Sequence, residues 1–218
     1  MNTNPTYYKS LSADGCSCNG GHSKWSLPSL QPDGTHKPGR WMPRIKDIVP
    51  CERGYHVFER KDILPWVNTT LYEAEIRGET IGHEDKTVAQ SARLIRPIPG
   101  CNERTLRLFA CRVAEDVLPI YEREYPDDDR PRKAIETARR YANGEATDSE
   151  LAAARAAARA AAWAVRAAAG AVRDAAWAAA GAAADAAWAA ANAAWAADAA
   201  AAREKYTDWL WEMLEGER

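Results

Sequence analysis

The chain has 218 residues and a formal net charge of −2, so its overall field does not attract it to DNA or to an anionic membrane. Charged residues interrupt the alanine-rich region before it reaches the roughly 20 apolar residues that span a bilayer. The first residues are polar and lack the apolar segment of a secretory signal, and the five cysteines are an odd number. We therefore expect a cytoplasmic protein without a disulfide framework.

The first hundred residues are predicted to form an α/β domain that begins with a loop. Residues 11–44 are rich in Gly, Pro, Ser and Asp, which interrupt regular structure, and Trp25 and Trp41 indicate that this loop is packed. Alternating apolar and polar residues then favour half-buried strands. The predicted strands cover residues 45–49, 54–58, 70–76 and 92–96.

Residues 101–145 are predicted to form two amphipathic helices that pack on this domain. Asn102 is a suitable N-cap for the first helix. The second helix is predicted to begin near Asp129 and to end before Gly144. The apolar residues of the first helix recur every three or four positions and form one face, which we expect to be buried: Leu106, Phe109, Val113, Val117 and Ile120.

Residues 146–218 are predicted to be helical, because alanine is the strongest helix former. Thr147 and Glu150 have the spacing of a capping box at the start of this region. Four arginines, at positions 155, 159, 166 and 173, precede position 174, and most acids follow it. This segregation favours an antiparallel hairpin with a turn near Gly181 over a single rod. The overall prediction is an α+β protein in which a small mixed sheet with packed helices is followed by an alanine-rich helical hairpin or bundle.

Tryptophan and arginine residues of the alanine-rich region are candidates for binding a partner. Their steps of three or four positions place them on one side of a helix, and both residue types are frequent anchors of protein interfaces. The same stripe could instead be the seam along which these helices pack. The partner-binding candidates, which include two tryptophans of the N-terminal loop, are Trp163, Arg166, Trp177, Trp188, Trp195, Trp25 and Trp41.

Four residues of the first domain are of the types that bind zinc. They are Cys16, Cys18, His22 and Cys51. Zinc takes four Cys or His ligands, but Cys-x-Cys is tighter than the usual Cys-x2-Cys spacing. We therefore expect neither a bound metal nor another cofactor.

A histidine and two glutamates are candidates for acid–base catalysis. His56 lies in a predicted strand, and Glu73 and Glu75 lie in a later one. A histidine and a carboxylate can exchange protons with a substrate if the fold brings them together. The sequence has no nucleophile elbow, no phosphate-binding glycine loop and no His-Glu-x-x-His motif, so no particular reaction is indicated.

The middle of the chain resembles bacterial and phage immunity proteins that are linked to polymorphic toxin systems. The resemblance covers about residues 100–200 and is carried by residues 102–105, 108–111, 117–122, 127–136 and 141–145, followed by a tail of Ala, Trp and Arg. The first hundred residues resemble an uncharacterised domain of phage and actinobacterial proteins, which implies no activity. The resemblance carries no catalytic motif.

We therefore expect a non-catalytic binding protein that neutralises or sequesters a toxin or a component of a defence system. One alternative is a small enzyme that acts on a nucleotide through His56 and a downstream glutamate. Another is a structural protein whose alanine-rich helices assemble into a homo-oligomer. The expected partner is a protein or a small nucleotide ligand, and neither a membrane nor DNA.

The predicted hairpin of the alanine-rich region can be tested by a distance between two spin labels, at positions 155 and 203. Packed antiparallel helices place these positions on the order of 10 Å apart. A single straight helix separates them by about 72 Å at the helical rise per residue. We expect pulsed electron resonance to give the short distance, and the long one would replace the hairpin with a rod.

Overall fold

The computed structural model describes residues 6–18, 23–157 and 184–216, and within them it leaves the side chains of residues 124 and 184–199 undescribed. The α+β class predicted from the sequence is confirmed, because among the described residues strands occur before residue 100 and helices after it. Within the described ranges, no helix is both long enough and apolar enough to cross a membrane. The predicted turn near Gly181 and the candidates Trp163, Arg166 and Trp177 lie outside the described residues.

Four antiparallel strands form a sheet that closes on itself. The sheet has the order β1-β4-β6-β5, and β5 pairs again with β1. A separate two-stranded sheet, β2-β3, lies in the N-terminal loop. The strands are β1 (Tyr7–Leu11), β2 (Ser29–Leu30), β3 (His36–Lys37), β4 (Tyr55–Glu59), β5 (Thr70–His83) and β6 (Lys86–Pro97), and a 3-10 turn, Arg60–Asp62, follows β4.

The hairpin of β5 and β6 is the longest part of the sheet. A two-residue turn at Glu84 and Asp85 joins the strands, and the register shifts between Glu73 and Ala74 and again between Arg77 and Thr80. Such irregularities increase strand bending, which helps a small sheet to close. Gly78 has a φ of 86° at the second shift, a conformation that glycine adopts readily. The strands predicted over 70–76 and 92–96 are confirmed as parts of this hairpin.

The strand predicted over residues 45–49 is absent, and this part of the prediction is wrong. The segment is instead an extended loop that lies along β6. The amide of Met42 donates to the Ala92 carbonyl at 2.8 Å, and the amide of Ile45 donates to the Gln90 carbonyl at 2.9 Å. Apolar residues can therefore pack on the sheet without a continuous ladder, since these tertiary hydrogen bonds satisfy the backbone.

The helices of the described residues are α1 (Glu103–Glu124), α2 (Arg130–Ala142), α3 (described over residues 148–157) and α4 (Ala184–Gly216). The capping box predicted before α3 is confirmed. The Thr147 amide donates to Glu150 Oε2 at 2.7 Å, and the Glu150 amide donates to Thr147 Oγ1 at 3.2 Å. These reciprocal bonds satisfy two amides that the first helical turn leaves without partners.

The buried side of α1 differs from the predicted one. Cys111 and Leu118 are buried, whereas Val117 and Ile120, which the periodicity assigned to the buried face, are 45% and 64% exposed. The pairing with α2 explains the difference. Arg132 of α2 binds Glu122 and Arg139 binds Glu115, so the side of α1 that carries these acids faces α2.

The chain forms two compact units, and its last residues belong to the first of them. One unit comprises Met1–Glu103 together with Tyr206–Arg218, and the other comprises Arg104–Lys205. The division predicted from the sequence, with boundaries at residues 100 and 145, does not group the C-terminal segment with the first unit.

Trp211 is the centre of the contact that the C-terminal segment makes with the first unit. Its ring centroid lies 4.6 Å from that of Tyr8 in β1, and the guanidinium of Arg60 lies 4.5 Å from the ring. The indole Nε1 donates to the Arg60 carbonyl at 2.9 Å. Leu210 and Leu214 are buried beside it, so the end of α4 completes the apolar core of this unit.

We expect Trp211→Ala to destabilise the protein by about 3–5 kcal/mol, because it removes a fully buried aromatic side chain and leaves a cavity. Chemical denaturation monitored by circular dichroism measures the change in the free energy of unfolding. Trp209→Ala is the matched control, since Trp209 is only partly buried two residues away in the same helix. Equal losses for the two variants would contradict the anchoring role of Trp211.

Candidate functional site

A cavity of about 460 Å³ lies in the first unit, where β1 and β4 separate. These strands pair only through Tyr7 with Glu59 and Tyr8 with Phe58, and the later residues of β1 pair with β5 but not with β4. The opening is lined by Lys9, Ser10, Ser17, Ser23, Trp25, Ile45, Cys51, Glu52, Arg53, Gly54, Tyr55, His56, Val57, Phe58, Trp66 and Lys86.

A tight turn before β4 forms one wall of this cavity. The Val49 amide donates to the Arg53 carbonyl at 2.7 Å, and Cys51 has a φ of 67°, which is uncommon for a residue with a side chain. Gly54 has a φ of 133°, and a Cβ at this position would collide with Val88. The turn therefore requires glycine at position 54, and it brings the Cys51 backbone next to His56.

His56 is held by this turn. The Cys51 amide donates to His56 Nε2 at 3.0 Å, so Nε2 acts as an acceptor and the neutral ring carries its proton on Nδ1. Burial lowers the pKa of His56, and the positive charges of Lys9 and Lys86 lower it further. A hydrogen bond with the Gly54 backbone raises the pKa of His56 and so offsets part of this effect. The geometry thus favours a neutral His56 that orders the turn.

Lys9 crosses the opening between the two strands. Its Nζ donates to the His56 carbonyl at 3.0 Å and lies 5.5 Å from the centroid of the Trp25 ring. Within the described part of the chain, no carboxylate pairs with this ammonium group. Burial lowers the pKa of Lys9 to about 8, against a smaller opposing effect of Cys18.

Lys86 brings a second ammonium group to the cavity. Its Nζ lies 4.6 Å from the Trp66 ring centroid and 3.7 Å from Asp85 Oδ1, and its side chain is largely buried. Because Lys9 and Lys86 both depress the pKa of His56, the potential around the imidazole is positive.

The two glutamates proposed for acid–base chemistry do not line this cavity. Glu73 pairs with Arg96 at 2.7 Å, and Glu75 pairs with Arg93 at 2.6 Å. Both pairs connect β5 with β6. The structure therefore places His56 in a cavity without bringing either glutamate to it.

The proposed zinc ligands are in three different settings. Cys18 Sγ lies 3.6 Å from the Ser10 carbonyl, Cys16 forms a backbone bridge with Lys24, and Cys51 is in the turn beside His56. His22 lies outside the described residues. Across residues 6–18, 23–157 and 184–216, no group of three or more His, Cys, Asp or Glu side chains is arranged to hold a metal ion.

The tryptophan candidates also differ in their settings. Trp25 is buried, with its ring edge-on to Tyr55 at 5.5 Å, so it belongs to the core and to the cavity wall. Trp41 is partly exposed, and the guanidinium groups of Arg77 and Arg93 lie 4.1 and 4.7 Å from its ring centroid. Trp188 and Trp195 lie within α4, two helical turns apart.

An apolar patch, which we define as Val117 and Ile120, is exposed on α1 of the second unit. Val117 follows Glu115 by two positions, a rotation of about 200° around the helix, so the patch lies on the side away from α2. Lys205 pairs with Asp116 at 2.5 Å next to the patch. The sequence identified these residues but assigned them to the core.

Sequence reasoning missed the cavity because it did not identify β1. The pair Tyr7-Tyr8 was the available signal, since aromatic residues favour strands. Nothing in the local sequence indicated that Lys9 would face His56, 47 positions later. That proximity depends on where β1 and β4 stop pairing.

The helical part of the chain matches a known family. A sequence model described as "Imm-5 like putative immunity protein" matches residues 99–214, which is more than half of the chain. The match begins just before α1 and extends to Leu214, so it includes Trp211 and excludes the strands that form the cavity. No curated protein and no solved structure matches the chain.

We expect the lowered pKa of His56 to make stability fall with acidity. As the pH falls below about 6.5, the usual pKa of histidine, His56 becomes protonated in the unfolded chain but stays neutral in the folded chain. The free energy of unfolding therefore decreases as the pH falls from about 6.5 to the lower pKa of the folded chain. Denaturation at pH 7.5 and 5.5 measures the loss. His56→Gln should reduce it, whereas the control His36→Gln, outside the cavity in β3, should not. An unchanged loss in His56→Gln would contradict the assignment.

Proposed function

Because the chain belongs to the Imm-5 like family of immunity proteins, we propose that it neutralises a protein toxin by binding it, without catalysis. Membership of an immunity-protein family suggests toxin neutralisation in general. The observation that carries the mode of action is the exposed apolar patch of Val117 and Ile120, which lies inside the matched segment. We place the encounter in the cytoplasm.

The patch has the chemistry of an interface centre. Large aliphatic side chains that project into water gain about 1.5–3 kcal/mol each when a partner covers them completely. Charged groups border the patch, with Asp116 bound to Lys205 on one side. An apolar centre with a polar rim is the usual organisation of protein–protein interfaces.

The hairpin of α1 and α2 presents this patch on a firm support. Two ion pairs join the helices: Arg132 binds both carboxylate oxygens of Glu122 at 2.7 and 2.8 Å, and Arg139 binds Glu115 at 2.5 Å. Cys111 Sγ also lies 3.7 Å from the Ile135 carbonyl. Exposed ion pairs add little stability individually, but here they fix the rotation of α1 and so keep Val117 and Ile120 outward.

The tryptophans of the alanine-rich region extend the proposal. Trp188 and Trp195 are two turns apart in α4, which places them along one side of that helix. Indole rings bury a large area at small entropic cost and often dominate binding energy. We propose this side of α4 as a second contact with the toxin, and a homo-oligomer through the same side as the competing use of these residues.

The partially exposed Trp41 offers a third contact on the first unit. Two guanidinium groups contact its ring, and one of them, that of Arg93, also binds Glu75. A stack of this kind keeps an aromatic face and positive charge together at the surface. It is separate from the matched segment, so we give it a supporting role.

We expect Ile120→Asp to abolish toxin neutralisation, because burying an unpaired carboxylate in an interface is strongly unfavourable. Proteins captured by the wild-type chain are first expressed alone in the host to identify one that arrests growth. Co-expression of the wild-type chain should restore growth, and co-expression of Ile120→Asp should not.

The control for this experiment is Leu30→Asp. Leu30 is 67% exposed, close to the 64% of Ile120, but it lies in β2 of the first unit. It should restore growth like the wild type. Captured proteins that never arrest growth would contradict toxin neutralisation, and full rescue by Ile120→Asp would contradict the patch as its contact.

A further inference from the structure

The cavity between β1 and β4 contains more positive than negative charge. Lys9, Arg53 and Lys86 line it, and Glu52 is the one acidic residue of its described lining. Lys86 has Asp85 nearby, whereas the ammonium group of Lys9 has no carboxylate partner among the described residues. A half-buried charge without a counter-ion is costly, so this group favours an anion beside it.

Lys9 retains the donors that such an anion needs. An ammonium group has three donors, and within the described chain Nζ uses one of them, towards the His56 carbonyl. The centroid of the Trp25 ring lies 5.5 Å from Nζ, and this cation–π contact orients the ammonium group without neutralising its charge. Two donors are therefore available to a bound oxygen.

Aromatic side chains surround this positive centre. Trp25, Tyr55 and Trp66 line the cavity, and Phe58 lies at its edge with β1. The volume of about 460 Å³ is within the range of small-molecule sites, which combine apolar walls with a few polar groups. Flat rings stack well on such walls.

We propose that this cavity binds a small organic anion, in which a phosphate or carboxylate group contacts Lys9 and Lys86 and a flat ring packs against the tryptophans. The site lies in the part of the chain that precedes the family match, so the inference is independent of toxin neutralisation. His56 contributes through its position, because its carbonyl holds Lys9 and its ring closes the turn wall.

The charge of Lys9 gives this site a defined pH dependence. Since its pKa is about 8, Lys9 is mostly charged at pH 7 and mostly neutral at pH 9. The affinity for an anion of constant charge should therefore fall by about tenfold over this range. The titratable and charged groups that share the cavity are Cys51, Glu52, Arg53, Tyr55, His56 and Lys86, with Cys18 near Lys9.

Calorimetric titration of the full-length chain tests the proposal with two charged and two uncharged probes. The charged probes are adenosine monophosphate and benzoate, and their uncharged counterparts are adenosine and benzamide. We expect at least one charged probe to bind with a Kd of about 1 mM or tighter and its counterpart to bind at least tenfold more weakly. The stronger probe distinguishes a phosphate from a carboxylate site.

Two substitutions connect binding to the cavity. Lys9→Met keeps the length of the side chain but removes its charge, and it should weaken binding at least tenfold and abolish the pH dependence measured with benzoate. Lys86→Met should also weaken binding, which keeps the test decisive if Lys9→Met melts at a lower temperature than the wild type. Lys61→Met is the matched control, because Lys61 is exposed and outside the cavity.

Three results would overturn the proposal. The first is that neither charged probe binds the wild type. The second is that each uncharged counterpart binds as tightly as its anion. The third is that Lys9→Met and Lys86→Met bind the charged probes as tightly as Lys61→Met does. In none of these cases is the growth-rescue experiment affected, since it depends on Ile120 in the second unit.

Discussion

The return of the chain end to the first unit is the constraint on which this part of the structure depends. A closed sheet of four strands has a small interior, and α4 supplies Leu210, Trp211 and Leu214 to its apolar surroundings. The indole of Trp211 packs on Tyr8 of β1 and binds the Arg60 carbonyl after β4. Trp211 therefore contacts both β1 and the residue that follows β4, and the divergence of these two strands opens the cavity.

This arrangement explains why β1 and β4 can separate without unfolding. Their pairing is limited to two residue pairs, Tyr7 with Glu59 and Tyr8 with Phe58, and Trp211 packs on Tyr8 of this short ladder. Beyond it, Lys9 replaces backbone pairing with a side-chain bond to the His56 carbonyl. The cavity opens where the ladder ends. There, burial lowers the pKa of both Lys9 and His56, and neighbouring positive charge lowers the pKa of His56 further.

The family match and the compact units have different boundaries, and the difference has a physical meaning. The matched segment extends to residue 214, well inside the helix that completes the first unit. The close approach of Gly100 to the Leu214 backbone, where a Cβ would not fit, joins the beginning and the end of the match. Within the first unit, the end of α4 therefore packs directly against the segment that follows β6.

The sequence alone determined the α+β class, the strands over residues 70–76 and 92–96 and the capping box before α3, because each follows from periodicity or local hydrogen bonds. It could not decide which side of α1 is buried. The apolar periodicity predicts that Val117 is buried, whereas in the structure an ion pair with α2 turns the opposite side of α1, which carries Glu115, towards α2. The candidate cavity likewise required tertiary structure. A lysine acquires its unusual pKa only from neighbours distant in sequence, and the folded chain alone brings Lys9 to His56.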